Sequence, residues 1–537
     1  MIFTSHQPNK PIPESASLFH FLFEDNDKKF PRNKLAYLDI ENPSKRYTFE
    51  QTKSQILKAA AGLKREFGFE KDDVVAICSP NMVDYPIILH GAVVAGGACA
   101  TIDREADAKL IAHDLDVCQA KVVITHSDTH AKVLEACKLV NFPKSNVLVF
   151  DESSVDGLRT VGETILSKEE YAEPVKFTHD ELVNNPAFLY YTSGTTGDKK
   201  AVIITQHIIM ANLTIQEDLP FNDRINILAY TEFHHASSFV TSMQLSLLYG
   251  MSVFVMPHYE LRKFCEAIEK YKISMTNTQP YIIAALTKEQ VCQEYDLSSL
   301  KSVICCGAAL DSSVTLAARE KMGLKVLDIY GMTEVLCAFE TNDELTLKHS
   351  IGHVASNFQI KLIDDDGNEV PATGGMGELL IKGPTVTRGY YRNPEATAKA
   401  IDKDGWLHTG DLVKVDKDGY FYYVDRAKDM IKYYLVQIYP SDIEGILITH
   451  PKVADCAVIG IYQKELTTEY VTAFVTLVEG EKPSRELEEE LREYCDSRLE
   501  DEKRIRGGVH IIPEFPRTAS GKIQRRVLKE KATNGEL

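Results

Sequence analysis

The sequence predicts an α/β protein with a large N-terminal domain and a small C-terminal one. Short β-branched runs alternate with helical-looking segments along most of the chain, as at 74–77, 122–125, 147–150 and 253–256. At 537 residues the chain is too long for one ordinary core, so at least two domains are expected. The charged stretch 424–429 is the one candidate boundary. Past it lie a strand-like run at 472–478 and a helix that opens at Pro483-Ser484. That helix is expected to carry Leu487, Leu491, Tyr494 and Leu499 on one face. About the last fifth of the chain therefore reads as a separate small α/β domain. The sequence contains no internal repeat and no low-complexity linker.

Composition narrows the function. A hydrophobic fraction of 44% with 26% charged residues excludes disorder as the general state. Sixty Lys and Arg against 78 Asp and Glu leave a net charge of −18, which argues against nucleic-acid binding while leaving room for a local basic pocket. The 11 cysteines lack regular spacing and read as reduced, small apolar residues. The start, MIFTSHQPNKPIPES, lacks the order of a signal peptide, and the most apolar stretch, 87–102, is short, Gly-rich and contains His90. The final Asn534-Gly535-Glu536-Leu537 is neither an SKL-type nor a KDEL tail. The expectation is an intracellular, soluble protein, cytoplasmic by default, with no transmembrane segment; its oligomeric state is left open.

Three strand-like runs end abruptly in loops of small or polar residues. Residues 187–191 lead into Thr192-Ser193-Gly194-Thr195-Thr196-Gly197-Asp198-Lys199-Lys200, residues 303–306 into Gly307-Ala308-Ala309-Leu310, and residues 324–329 into Tyr330-Gly331-Met332-Thr333-Glu334. Ligands of open α/β sheets bind outside the carboxyl ends of strands, so these loops are expected to wall one site. The first has the chemistry of a phosphate cradle: glycines allow close backbone approach, hydroxyls donate, and a terminal lysine adds charge. It is not a Walker A loop, because Gly194 and Gly197 are too close together and Lys200 precedes Ala201.

YYTSGTTGDKKAVIIT resembles the phosphate-binding signature of the ANL adenylate-forming superfamily, which includes acyl-CoA synthetases, 4-coumarate–CoA ligases and beetle luciferases. CGAAL, YGMTE, GELLIKGPTVTRGYY, GWLHTGDL, VDRAKDMIK and PRTASGKIQRR follow in that family's order. The resemblance implies an adenylate-forming fold with an AMP-binding domain at 1–426 and a mobile lid domain at 427–537. It implies ATP, Mg²⁺ and coenzyme A as partners of a small carboxylic acid. By resemblance, Thr192 to Gly197 and Lys200 wrap the β- and γ-phosphates, Thr333 meets the α-phosphate, and Glu334 holds the metal. Tyr330 faces adenine, flanked by Gly307, Ala308, Asp328 and Gly331; Asp411 and Arg426 meet the ribose. Lys522 reaches the α-phosphate and the attacking carboxylate. Lys428 matches the lid's pivot, Lys432 and Leu435 belong to the face used for thioester formation, and His235 matches a histidine gating the thiol tunnel.

Several positions depart from the family pattern. Ile329 stands where glycine is usual and would narrow the acyl pocket. Ser237 replaces a bulky aromatic and opens it, and Asn277 suggests polar pocket chemistry. Asp328 stands where glutamine is common. In the lid, Leu435 occupies the position of a glycine that lines the thiol path, where only a hydrogen leaves room. The resemblance thus implies an acid–CoA ligase. The alternatives are transfer to a non-CoA nucleophile, luciferase-like oxidation, or binding without catalysis, the last opposed by intact Thr333, Glu334, Asp411, Arg426 and Lys522.

Overall fold

The computed structural model describes the whole chain except residues 27–29, 193–198, 307–309, 311, 365, 371–373, 435 and 519–520. Two seven-stranded sheets form the body of the large domain. The first has the spatial order Ala201–Ile204, Phe188–Tyr191, Ala98–Thr101, Val74–Ile77, Val122–Thr125, Val147–Val149, Arg159–Thr160. The second runs Lys325–Asp328, Ser302–Cys305, Met275–Thr278, Asn226–Ala229, Ser252–Val255, Leu35–Asp39, Arg46–Thr48. In each, the parallel strands follow the order 2-1-3-4-5, a sixth strand pairs beside strand 2, and an antiparallel strand closes that edge. The 2-1-3-4-5 core is therefore repeated although the sequence is not, while the outer pair follows that core in the chain in the first sheet and precedes it in the second.

The apolar stretch near 87–102 is explained by its place. Helix Tyr85–Val94 is buried along its entire length, and its residues share one core cluster with strands of both sheets. A helix covered on all sides has no polar face to keep. No helix among the described residues is long and apolar enough to cross a membrane. All 11 cysteines are unpaired, and nine are buried.

A five-stranded antiparallel sheet follows, in the order Ile2–Thr4, Gln359–Ile363, Met376–Lys382, Leu407–Val415, Phe421–Arg426. Its last pairing sets Asp411 directly opposite Arg426. The small C-terminal domain is built on the hairpin Val453–Gln463 and Thr468–Leu477, with Val509–Ile511 parallel to it. Helices Pro440–Leu447, Arg485–Asp496 and Arg525–Thr533 cover this sheet, their buried leucines closing two small clusters.

The expected helix after Pro483 is present, capped by the Ser484 side chain, which accepts from the Leu487 N–H. Its buried face is Leu487, Leu491 and Cys495 rather than the expected set. Leu499 lies beyond the helix, which stops at Asp496, and Tyr494 is only half-buried. The Asp496 carboxylate accepts the Ile505 N–H at 2.9 Å and turns the chain back toward the sheet.

Candidate active site

The order of the second sheet changes direction between Asn226–Ala229 and Met275–Thr278, and a crevice opens outside the carboxyl ends of these strands. The segment after the first carries His234 and His235; the segment after the second carries Gln279 and Tyr281. Both pairs line a cavity of about 1500 Å³ together with Asp328, Ile329, Tyr330, Gly331, Asp411, Arg426, Lys428 and Lys522. The corresponding point of the first sheet is filled: Thr129 donates to the Cys78 carbonyl at 2.9 Å. Beside it, fully buried Asn81 accepts the Phe233 N–H at 2.8 Å and donates to the Thr231 carbonyl at 3.0 Å. Asn81 thereby fixes the loop that carries the two histidines. Just past that loop, the backbone widens into π-helical turns over Phe239–Leu245, a geometry that recurs at functional sites.

The three loops expected to wall one site come from two sheets. Phe188–Tyr191 belongs to the first sheet and runs into an antiparallel hairpin with Ala201–Ile204, with the Thr192 N–H donating to the Lys200 carbonyl at 2.9 Å. The loop is thus a strand-to-strand connection and not a helix start. Of its expected phosphate ligands, Ser193, Gly194, Thr195, Thr196 and Gly197 lie outside the described residues, as do Gly307, Ala308 and Leu435. The two lysines at its end diverge. Lys200 stands 5.0 Å over the Tyr390 ring, and the Tyr390 hydroxyl donates to Glu334 Oε1 at 2.8 Å. Lys199 lines the cavity and meets Asp103 at 2.9 Å.

The Tyr330–Glu334 segment is sharply turned. A side chain at Gly331 would place its Cβ 2.1 Å from the Leu336 carbonyl oxygen, so only glycine fits there. Thr333 is half-buried in the turn, and Glu334 is buried behind it. Burial pushes the Glu334 carboxyl up, while the Tyr390 hydrogen bond and the charges of Arg426 and Lys522 pull it down. The Tyr330 hydroxyl donates to Asp411 Oδ2 at 2.6 Å. The other Asp411 oxygen faces Arg426 Nε at 3.4 Å and has no hydrogen-bond partner among the described residues.

Lys522 arrives from the small domain on a turn stapled at its base. The Thr518 N–H donates to the Lys522 carbonyl at 2.8 Å, and left-handed Gly521 packs beside Tyr281 and Gln279 of the large domain. Arg517 donates to the Gly521 carbonyl at 2.8 Å, pairs with Asp455, and lies 4.6 Å over the Tyr281 ring. The Lys522 ammonium is lowered from its ordinary value by burial and by Arg426, with Cys306, Asp411 and Glu334 opposing. His235, with Lys522 and His234 nearby, is held well below the usual imidazole range, chiefly by burial, and is neutral at pH 7.

The acyl-pocket expectations divide. Ile329 lines the cavity. Asn277 is buried and donates to the Ser237 carbonyl at 3.1 Å, so these two meet, but neither is among the residues lining the cavity. Asp328 lines it, with burial raising its carboxyl to about 7. Lys432 is exposed on Ile431–Tyr433 and is not among the residues lining the cavity, but its N–H donates at 2.9 Å to Glu469, which does line it. Sequence reasoning missed Tyr390, Tyr281, Asp103 and His234. Tyr390 lies inside a recognised motif and was legible there; the other three carry no local signal.

Fold and site together define a nucleotide-using α/β enzyme whose small domain contributes a lysine to the large domain's crevice. Residues 23–391 match the model of the AMP-binding enzyme family, and residues 442–522 match that of the AMP-binding enzyme C-terminal domain. The chain belongs to this family, the ANL adenylate-forming superfamily, and is an adenylate-forming ligase of the acyl-CoA synthetase type. It is 31% identical over 520 residues to the phenylacetyl-CoA ligase epaB of Aspergillus niger, covering 94% of this chain and 95% of that protein. It is 29% identical over 550 residues to the probable 4-coumarate–CoA ligase 3 of Dictyostelium discoideum, covering 98% and 97%. Its fold matches the crystal structure of the anthranilate CoA ligase AuaEII in complex with anthranoyl-AMP, with a TM-score of 0.86, 24% identity, and coverage of 98% and 99%.

Proposed function

We propose that the protein is an ATP-dependent acid–CoA ligase. In the first half-reaction the carboxylate oxygen of the acid attacks the α-phosphorus of ATP and pyrophosphate leaves, giving acyl-AMP. In the second, the thiol of coenzyme A attacks the acyl carbon and AMP leaves. The observation that carries this reading is the delivery of Lys522 into the cavity that Tyr330, Asp411 and Arg426 share, with Glu334 alongside.

The first step brings an anion to a polyanion, so positive charge must stand where the pentacoordinate phosphorus develops. Lys522 supplies it for the α-phosphate and the incoming carboxylate, and Thr333 adds a hydroxyl donor. Thr192 and Lys200, with Ser193 to Gly197, hold the β- and γ-phosphates. Asp411 and Arg426 hold the ribose, and the Tyr330 ring covers adenine beside Gly307, Ala308, Asp328 and Gly331. Among the described residues no cluster of three metal-ligating side chains exists. Mg²⁺ fits that donor set, because it keeps its waters and takes one carboxylate plus substrate phosphates. Glu334, one oxygen of which Tyr390 steadies, would hold it, and the metal would neutralise phosphate charge. The small domain, taken as 427–537 against 1–426, pivots at Lys428 between the two steps. His235 gates the passage between the acyl pocket and the thiol path, and Lys432 and Leu435 belong to the face that meets the thiol.

A second reading, transfer to a small non-CoA nucleophile, is favoured by Leu435 in place of the glycine on the thiol path. One screen tests both: pyrophosphate release over diverse acids, with and without coenzyme A. Release with an acid, followed by consumption of the adenylate by coenzyme A, supports the first reading. Release with an adenylate that coenzyme A leaves intact supports the second, and no release with any acid overturns both.

A further inference from the structure

We propose that Asp103 is a positioning residue for both half-reactions, its one carboxylate holding the lysine at the end of the phosphate loop and the histidine pair at the acyl gate. The inference rests on the ligase reading above, and Asp103 and His234 lie outside the motifs that carry the family resemblance.

Asp103 sits just beyond strand Ala98–Thr101 of the first sheet, at the seam with the second. Its Oδ2 accepts from Lys199 Nζ at 2.9 Å, and its Oδ1 accepts the Glu105 N–H at 2.9 Å and faces His234 Nε2 at 3.6 Å. Burial alone would raise the carboxyl, but His234, Lys199 and the Glu105 N–H hold it below the ordinary carboxylate range. His234 itself is lowered to about 4, mainly by burial, so at neutral pH the effective cation is Lys199. Asp103, Lys199, His234 and His235 all line the same cavity.

His234 is 6% exposed, and neither ring nitrogen has a hydrogen-bond partner among the described residues. It is held between two carboxylates, with Glu232 Oε2 at 3.9 Å from Nδ1, and its ring lies 4.8 Å from that of His235. Glu232 is itself tied to Arg104 at 2.8 Å, and its carbonyl accepts the His235 N–H at 3.0 Å. A buried ionic group costs desolvation that apolar packing would avoid, so a cluster of this kind on a cavity wall calls for a reason other than stability. Geometry gives one. An ammonium has three donors, and Lys199 spends one on Asp103, which fixes its direction and leaves two for a phosphate at the end of the loop. The other oxygen of the same carboxylate stands 3.6 Å from His234 Nε2 and bounds one side of the space that ring occupies beside His235.

Asp103→Asn, Lys199→Met and His234→Gln separate the two duties, with purified full-length protein and the best acid of the pyrophosphate screen. Losing a hydrogen bond to a charged group is expected to cost about 10- to 100-fold. Asp103→Asn should raise the KM for ATP in pyrophosphate release by about that factor, and should slow the consumption of supplied acyl-adenylate by coenzyme A by a smaller one, because His234 faces Asp103 at 3.6 Å without a hydrogen bond. Lys199→Met should reproduce only the first effect and His234→Gln only the second. The Asp103→Asn, Lys199→Met double variant should be no worse than Asp103→Asn in the first half-reaction. A merely structural role predicts instead a lowered Tm with kcat falling equally in both steps and the KM for ATP unmoved, and that result overturns the proposal. So do losses that multiply in the double variant. If Asp103→Asn does not fold, the Lys199→Met and His234→Gln pair, which keeps the carboxylate, still decides: each must affect its own half-reaction alone. A wild type that releases no pyrophosphate with any acid sinks the ligase reading itself. Normal wild-type release with an unaffected Asp103→Asn sinks Asp103 alone.

Discussion

Removing the ammonium of Lys522 should separate the two half-reactions. This group enters the crevice from the small domain, beside Arg426, Asp411, Glu334 and Cys306. A unit charge about 4 Å from another at an effective dielectric of about 20 contributes roughly 4 kcal/mol. Arg426 already presses on the same volume and retains part of that stabilisation. Lys522→Ala should therefore slow adenylate formation by about 10²- to 10³-fold, the usual loss for one donor aimed at developing charge. Consumption of supplied acyl-adenylate should be spared, since no phosphorus is attacked in that step. Stability gives an independent control. The folded protein binds this proton less tightly than the unfolded chain, because burial and Arg426 lower the Lys522 value below 10.5. Stability thus rises with pH between the folded and unfolded values, and at neutral pH the buried ammonium opposes folding. Lys522→Ala should leave Tm unchanged or higher. Pyrophosphate release, adenylate consumption and calorimetry on one preparation check this, and an equal loss in both half-reactions would refute the reasoning.

Three further outcomes are expected. Glu334→Gln keeps the Tyr390 contact but removes a hard anionic ligand, so the Mg²⁺ concentration for half-maximal pyrophosphate release should rise sharply; an unchanged Mg²⁺ dependence means that Glu334 does not hold the metal. Leu435→Gly should speed coenzyme A acylation and leave pyrophosphate release nearly unchanged, apart from about 1 kcal/mol of stability from the added backbone freedom; a wild type already efficient with coenzyme A that gains nothing would sink the blocked-path idea. Asp114 is fully buried, with both carboxylate oxygens lacking a hydrogen-bond partner among the described residues, and burial raises it to about 7. The native state then binds this proton more tightly than the unfolded chain, so its contribution to stability is present at low pH and is lost as pH rises through about 7. Asp114→Asn should raise Tm most at pH 8 and by clearly less at pH 5, because the loss sets in above the unfolded value of 3.8 and is complete only above about 7; equal shifts at both would show that the carboxyl ionises as freely in the folded state as in the unfolded chain.

Much of the fold was legible because local sequence carries it. The β-branched runs at 74–77 and 122–125 are strands with those bounds, and Ser484 caps the helix expected after it. The miss in that helix is instructive. Apolar spacing pointed to Tyr494 and Leu499, yet the chain leaves the helix at Asp496, whose carboxylate is taken by the Ile505 N–H. A helix end set by a tertiary hydrogen bond leaves no trace in the periodicity of the helix itself.

By itself the sequence supplied the residues of the proposed chemistry, the Tyr330, Glu334, Asp411, Arg426 and Lys522 side chains and their order along the chain; that glycine alone fits at 331 is a tertiary fact, because the turn closes on the Leu336 carbonyl. Only tertiary structure decided that two sheets share one core strand order, that the phosphate loop connects antiparallel strands, and that Lys199 meets Asp103 while Lys200 stands over the Tyr390 ring. It alone brought Asp103 to Lys199, 96 residues away, and to His234. Patterns of period two and 3.6 are written in neighbouring residues. The meeting of distant charges is set by how whole sheets pack, where buried apolar area chooses the arrangement and the polar groups at the seam find their partners.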